Sequence, residues 1–279
     1  HLGRCYGYDQ EIIKPKEHSF QEGLICLEVS DGTLYLGLED NTIQVWSPKG
    51  DHLHTLEGHT QCVTCIEIGP NGTVYSGSRD GTIRIWSSEG EHLRTLKVNI
   101  TIRCVAVGLD GSVYLGSYDK KIRIWSPEGE YFCILEDPFN IVSCLVVGPD
   151  GNLYSGSYYG VINLWSPKGE HLHTFEKHTS WVSCIAVGPD NKLYSGSYNN
   201  IFVWSKKKPS RILDGHTHQV RNILVGSDGM IYSDSYVIRI WSPNGEHLHT
   251  LKTNTKGRRF GVGSDGTLYA FNNGRLMVW

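Results

Sequence analysis

The sequence predicts an all-β protein assembled from seven copies of one four-stranded antiparallel unit. Three observations carry this. Tryptophan recurs at Trp46, Trp86, Trp125, Trp165, Trp204, Trp241 and Trp279, at spacings of 37 to 40 residues. A tyrosine precedes each by nine to eleven residues, at Tyr35, Tyr75, Tyr114, Tyr154, Tyr194, Tyr232 and Tyr269. No segment has the apolar period of a helix, and the apolar runs are short, β-branched or alternating.

The elements follow in order. The first unit opens with LICLEV (24–29). The second shows all four strands. VTCIEIG (63–69) is a short apolar run, and Asn71-Gly72 is a tight turn because Gly accepts a positive φ. TVYSGS (73–78) follows, Arg79-Asp80-Gly81 turns, and TIRIW (82–86) alternates as a half-buried strand does. Ser87 to Gly90 turn again, and HLRTL (92–96) is the fourth strand. GLDG (108–111), GPDG (148–151) and GSDG (226–229) repeat the first turn. SPxG repeats the last one at 47–50, 126–129, 166–169 and 242–245. In the fourth unit, LYSGS (153–157) and VINLW (161–165) are the middle strands. The fifth unit replaces SPxG with Lys206-Lys207-Lys208, read as a solvated turn.

One such sheet cannot bury both faces. Seven stacked face to face around an axis can, which is a seven-bladed β-propeller. The seventh unit stops at Trp279, after its third strand. Residues 10–18, QEIIKPKEH, align with HLHTLEGH (52–59) and are expected to supply the missing strand. Residues 1–5 are the alternative donor. Residues 19–279 then hold the seven repeats, and 1–279 form one domain.

Apolar residues make up 39% of the chain and charged residues 20%, and the formal net charge is -3. That balance predicts no general attraction to nucleic acid or to an anionic membrane. No apolar run is long enough to span a bilayer, and no signal-peptide pattern opens the sequence. A chain that begins at His1 is expected to be a piece of a longer one. Cys26, Cys65, Cys104, Cys144 and Cys184 lie 39 or 40 residues apart. They are one repeat position and too far apart to bridge, so buried reduced thiols are expected. Reduced thiols favour a reducing compartment, hence a cytoplasmic location. The sequons at Asn71 and Asn99 are short patterns that arise by chance.

Gly58-His59, the run SGSRDGTIRIW (76–86) and the period resemble WD40-repeat propellers over nearly the whole chain. The sequence departs from the family pattern in placing Ser, not Asp, after each Trp that continues. The resemblance implies closure by an N-terminal strand. It also implies a hydrogen-bonded structural tetrad of His59, Ser76, Asp80 and Trp86. Unit five keeps His178, Ser195 and Trp204, and unit six keeps His216, Ser233 and Trp241. Unit seven keeps only Trp279. Missing members imply looser loops in units three, four and seven.

With the strands called a to d, the family topology implies that the b–c turns and d–a loops share one end, the top. Glu39, Arg79, Tyr118, Tyr158, Tyr198 and Tyr236 occupy matching b–c positions, and the d–a loops add Phe139 and Trp181. These residues are the candidate partner-binding set, an aromatic crescent over blades three to six. Tyr158 has two readings: contact surface, or a ring packed over the next blade's turn.

Other chemistries are weaker. His52/His54, His171/His173 and His247/His249 are H-x-H pairs whose members would share a strand face, but separate outer edges do not converge on a metal. They read as solvated edge residues. Cys62 and Cys65 form a CxxC with no second ligand pair. A Ser-His-Asp set that repeats with the fold reads as bracing, not as a nucleophilic triad. No Gly-rich loop leads into a helix to cradle phosphate. The expectation is a non-enzymatic protein or peptide scaffold, monomeric, without cofactor, metal, nucleic acid or membrane partners. The alternative is a carbohydrate-binding, lectin-like propeller, since sugars and nucleobases also stack on aromatic faces.

Overall fold

The computed structural model describes residues 23–136, 141–205, 207–253, 260–272 and 275–279. Blade one comprises β1–β4, at Leu24–Ser30, Thr33–Leu38, Ile43–Trp46 and His52–Leu56. Blade two holds β5–β8, at Val63–Ile68, Val74–Ser78, Thr82–Trp86 and His92–Lys97. Blade three holds β9–β12, at Ile102–Val107, Val113–Ser117, Lys121–Trp125 and Tyr131–Glu136. Blade four holds β13–β16, at Val142–Val147, Leu153–Ser157, Val161–Trp165 and His171–Glu176. Blade five holds β17–β20, at Cys184–Val187, Leu193–Gly196, Ile201–Ser205 and Lys208–Leu213. Blade six holds β21–β24, at Asn222–Val225, Ile231–Asp234, Ile238–Trp241 and His247–Leu251. Blade seven holds β25–β27, at Phe260–Val262, Leu268–Asn272 and Arg275–Val278.

All pairings are antiparallel between sequence neighbours, and blade seven has three strands among the described residues. The expected closing strand at 10–18, and its alternative at 1–5, lie outside the described residues. The ring nevertheless closes on side chains. Leu24, Leu27, Leu36 and Trp46 of blade one form one core cluster with Tyr269, Phe271 and Leu276 of blade seven. The a strands are innermost: β1 packs on β5, β5 on β9, β9 on β13, β13 on β17, β17 on β21, and β25 back on β1.

Each blade-to-blade gap holds its own apolar cluster. The contact that sets the gap joins three recurrent residues. The Cys of strand a lies against the Gly of the SGS-type strand b, and the next blade's first β-branched residue covers both. A Cβ on Gly156 would lie 2.5 Å from Cys144 Sγ and 2.9 Å from Val182 Cγ1. Gly37, Gly77, Gly116 and Gly196 are equally filled, by Cys26, Cys65, Cys104 and Cys184. The five in-register cysteines are buried, and none forms a disulfide among the described residues. Blade six breaks the pattern, with Asn222 in place of the Cys and fully buried Asp234 in place of the Gly.

Two β-bulges recur, and neither is legible from alternation. On the outer edge, Trp46 pairs with His52 and Val45 with His54, which leaves Leu53 unpaired. The same slip occurs in blades two to six. The bulged residues Leu53, Leu93, Phe132, Leu172 and Leu248 are exposed. A bulge at the rim twists and interrupts an edge that would otherwise invite pairing.

This corrects the reading of the H-x-H pairs. The extra residue between the two histidines removes their common face. His52, His171 and His247 instead set their rings edge-on to Trp46, Trp165 and Trp241, at 5.0, 5.2 and 5.3 Å. His54 turns toward the next blade, beside Gly90.

The Gly–Cys–Val contact yields a direct test. Gly156→Ala is expected to lower stability by about 1–3 kcal/mol, because backbone and a neighbouring blade must shift to admit one methyl. Equilibrium urea unfolding measures this.

Candidate functional site: the top of the ring and its channel mouth

Backbone hydrogen bonds define the top. The Arg79 amide donates to Cys62 O at 3.1 Å, and the Tyr158 amide to Ile141 O at 3.2 Å. The Val182 amide donates to Ser157 O at 3.0 Å, and the Val220 amide to Tyr198 O at 3.0 Å. The b–c turns of blades two and four are thus tied to the residue before their own strand a, and those of blades four and five to the loop entering the next blade.

Side chains brace the same region. In blade two the Trp86 indole N–H donates to Ser76 Oγ at 2.9 Å. Ser76 Oγ lies 2.8 Å from His59 Nε2, and His59 Nδ1 lies 2.9 Å from Asp80 Oδ2. An ionised carboxylate only accepts, so Nδ1 carries the imidazole proton and Nε2 accepts from Ser76. Burial pushes the His59 pKa down, which keeps the ring neutral despite Asp80. Burial alone would raise the Asp80 pKa. Hydrogen bonds from Thr82, the Thr60 amide and His59 outweigh it and hold it at about 2.

The glycine of the Gly-His pair also has a steric reason. Gly58 has φ +145°, and the Arg84 guanidinium fills the place of its missing Cβ. Gly215 and Arg239 repeat this in blade six. In blade five, Phe202 stands at the Arg position, and His178 meets its ring edge-on at 4.7 Å.

Blades five and six keep a three-member chain. His178 and Trp204 share Ser195 at 2.7 Å each. His216 and Trp241 share Ser233 at 2.7 and 2.8 Å. Burial lowers both imidazole pKa values to about 4. Among the described residues blade four keeps the Trp165–Ser155 bond alone, at 2.9 Å. Blade three uses a different device, the Arg123–Asp119 ion pair at 2.5 Å, which the sequence reading did not anticipate.

The candidate partner-binding residues divide by exposure. Tyr118, Tyr198 and Tyr236 are 51%, 67% and 41% exposed. Glu39 and Arg79 are also exposed. Tyr158 is half-buried and stacks on Trp181, with centroids 4.7 Å apart and planes 3° from parallel. Its ring therefore packs against the loop entering blade five. Tyr159 beside it is the open ring, at 71%. Phe139 lies outside the described residues.

Sequence reasoning missed the centre. At the top of strand a, Cys104 pairs with Gly116 and Ile102 with Ser117, so Arg103 is a bulged residue. Thr64 and Ser143 are bulged in the same place in blades two and four. Ser183 and Arg221 occupy the corresponding positions of blades five and six, immediately before their strands. A bulge re-aims its side chain, and here all five line one cavity of about 300 Å³ at the channel mouth, with Trp181 and Gln219. The available signal was the residue before each repeated Cys, a column reading Ile25, Thr64, Arg103, Ser143 and Ser183.

Arg103 is held by rings. Its guanidinium carbon lies 5.2, 5.1 and 5.4 Å from the centroids of Tyr118, Tyr158 and Trp181. Its Nη1 donates to Tyr118 Oη at 2.8 Å. Arg221 lies 4.8 Å from the Tyr236 centroid. Such cation–π contacts contribute roughly 0.5–2 kcal/mol each, more when dry.

A family model for the WD domain, G-beta repeat, matches residues 50–87, 90–126, 130–166 and 169–205, together more than half of the chain. The chain is a WD40-repeat protein. A solved structure described as "Structure of U3-55K" is similar at TM-score 0.84 and 19% identity, covering 98% of each chain. At that identity the likeness speaks for the fold alone. A search of curated proteins finds no significant sequence match. The four matched segments end one blade apart, within a residue of the Trp that closes each strand c.

The buried histidines give this WD40 ring a pH dependence. Below pH ~6.5 the unfolded chain binds protons that His178 and His216 refuse until about pH 4. Stability is therefore expected to fall with pH across that window, and Asp80 adds a further loss between pH 3.8 and about 2. Urea midpoints measured from pH 7 downward test this. His178→Asn with His216→Asn flattens the slope above pH ~4 while lowering the midpoint at pH 7. Ser76→Ala, which strands His59 Nε2 and the Trp86 N–H, is expected to cost about 1–3 kcal/mol.

Proposed function

We propose that this WD40 propeller is a non-enzymatic scaffold that captures a short protein segment on its top face. WD40 propellers are generally protein-interaction scaffolds. One observation carries the finer reading: Tyr118, Tyr159, Tyr198 and Tyr236 stand exposed around a mouth whose loops are tied to a rigid ring. Tyr offers large contact area with little side-chain entropy to lose. Glu39 and Arg79 extend the face over blades one and two and add charge selectivity. Tyr158 and Trp181 act from beneath, as a stacked floor.

The reading extends to a monomer without cofactor, nucleic-acid or membrane partners. Cysteines that form no disulfide among the described residues support a reducing, cytoplasmic setting. Among the described residues no helix is long and apolar enough to cross a membrane. A sugar-binding propeller would repeat its aromatic pocket in every blade, whereas these rings occupy blades three to six.

The test is a comparison of peptide-library binding by the wild type and by Tyr198→Ala/Tyr236→Ala, after circular dichroism shows that both are folded. Exposed rings away from the core change stability little, within about 0.5 kcal/mol. The top-face reading expects a loss of at least about tenfold in affinity, as for one hot-spot side chain. Unchanged binding by the double variant refutes it.

A further inference from the structure

The mouth of the channel is chemically one-sided. Arg103 and Arg221 both line it, and among the described residues none that lines it is acidic. Neither guanidinium forms an ion pair among the described residues. The hydroxyls at the mouth have spent their protons elsewhere. Thr64 Oγ1 donates to Gly77 O at 3.1 Å and Ser143 Oγ to Val182 O at 2.5 Å. Ser183 Oγ donates to Val220 O. What remains is a set of nitrogen donors. Trp181 Nε1 and Arg103 Nε are buried and have no hydrogen-bond partner among the described residues. Gln219 lines the same space.

A buried donor without a partner calls for an explanation. Here two such donors border a cavity that also holds two uncompensated guanidiniums. The Arg103 plane is fixed by three rings and a tyrosine hydroxyl before any ligand arrives. Guanidinium groups match the planar, forked geometry of oxyanions. A cavity of about 300 Å³ takes a side-chain head group and not a folded element.

We propose that the mouth is an oxyanion subsite: it receives one carboxylate or phosphoryl group, borne on a side chain of the captured segment, between Arg103 and Arg221. The inference rests on the top-face reading and names the chemistry of its partner. The exposed tyrosines grip the flanking chain, and the two arginines select the central residue.

The test uses immobilised sets of short peptides, random except for a central Glu, phosphoserine, Gln or Lys. The full chain is compared with Arg221→Gln, Arg103→Gln and Tyr198→Ala/Tyr236→Ala, each checked for folding. Arg221→Gln leaves the Arg103 stack untouched, so it keeps the test valid if Arg103→Gln loosens the loop. The proposal expects the wild type to retain the Glu or phosphoserine set about tenfold over Gln and Lys, as an added charge-assisted pair would give. It expects Arg221→Gln to abolish that preference and inorganic phosphate to compete with it. Stronger retention of phosphoserine assigns a phosphoryl group, and stronger retention of Glu assigns a carboxylate; either supports the subsite. Equal retention of all four sets by the wild type, lost in the tyrosine double variant, overturns the subsite and leaves the top-face reading standing. An acidic preference that survives Arg221→Gln and Arg103→Gln also overturns it. Binding that no variant alters overturns both.

Discussion

The structure depends on the gap between neighbouring blades. A single four-stranded sheet of this kind leaves both faces wet, and its burial comes only from its neighbours. The spacing of that gap is set where Cys of strand a, Gly of strand b and Val, or Ile102, of the next blade meet. The Gly is there because no Cβ fits, and the Cys because its sulfur fills the space. Repeated around the axis, this contact turns a marginal unit into a ring. Blade seven meets blade one without it, through an apolar core that Leu24 and Leu36 share with Phe271.

A rigid ring permits irregularity at its ends. The bulge at the top of strand a lies just above the Cys–Gly contact, where the next blade no longer dictates alternation. It turns Thr64, Arg103 and Ser143 from the sheet face into the mouth. The bulge on strand d has the opposite task. It exposes Leu53 and its equivalents at the rim, interrupts the outer edge and frees one histidine to cover the strand-c tryptophan. One kind of defect thus protects the outside and furnishes the centre.

The top face is braced in several ways, and the choice varies from blade to blade. Blade two uses the full His-Ser-Asp-Trp chain, blade five a neutral His between Ser195 and the Phe202 ring, blade six a neutral His bonded to Ser233, blade three an Arg–Asp pair. His59, His178 and His216 tie the loop entering each blade to that blade's own strand b, and Arg123 ties the b–c turn of blade three to its strand c. Aromatic rings on these turns then have stable positions. Tyr158 and Trp181 use theirs to cover each other and to hold Arg103, while Tyr159 and Tyr198 remain open.

Much of the fold was legible in the chain because each repeat carries its own punctuation. The Trp and Tyr registers, the Asn-Gly and SPxG turns and the in-phase cysteines are local signals copied seven or fewer times, and local signals survive in a linear reading. They determined the all-β class, the seven blades, the strand order and the b–c turns of blades one to six. They also placed Tyr118, Tyr198 and Tyr236 on one face. Tertiary structure alone decided which rings stay open, since Tyr158 and Tyr159 are adjacent in sequence and differ only in what Trp181 covers. It alone separated the H-x-H pairs and gathered Arg103 and Arg221. The reason is physical: a one-residue bulge reverses side-chain direction without changing the pattern of residues, and convergence on an axis joins positions more than a hundred residues apart.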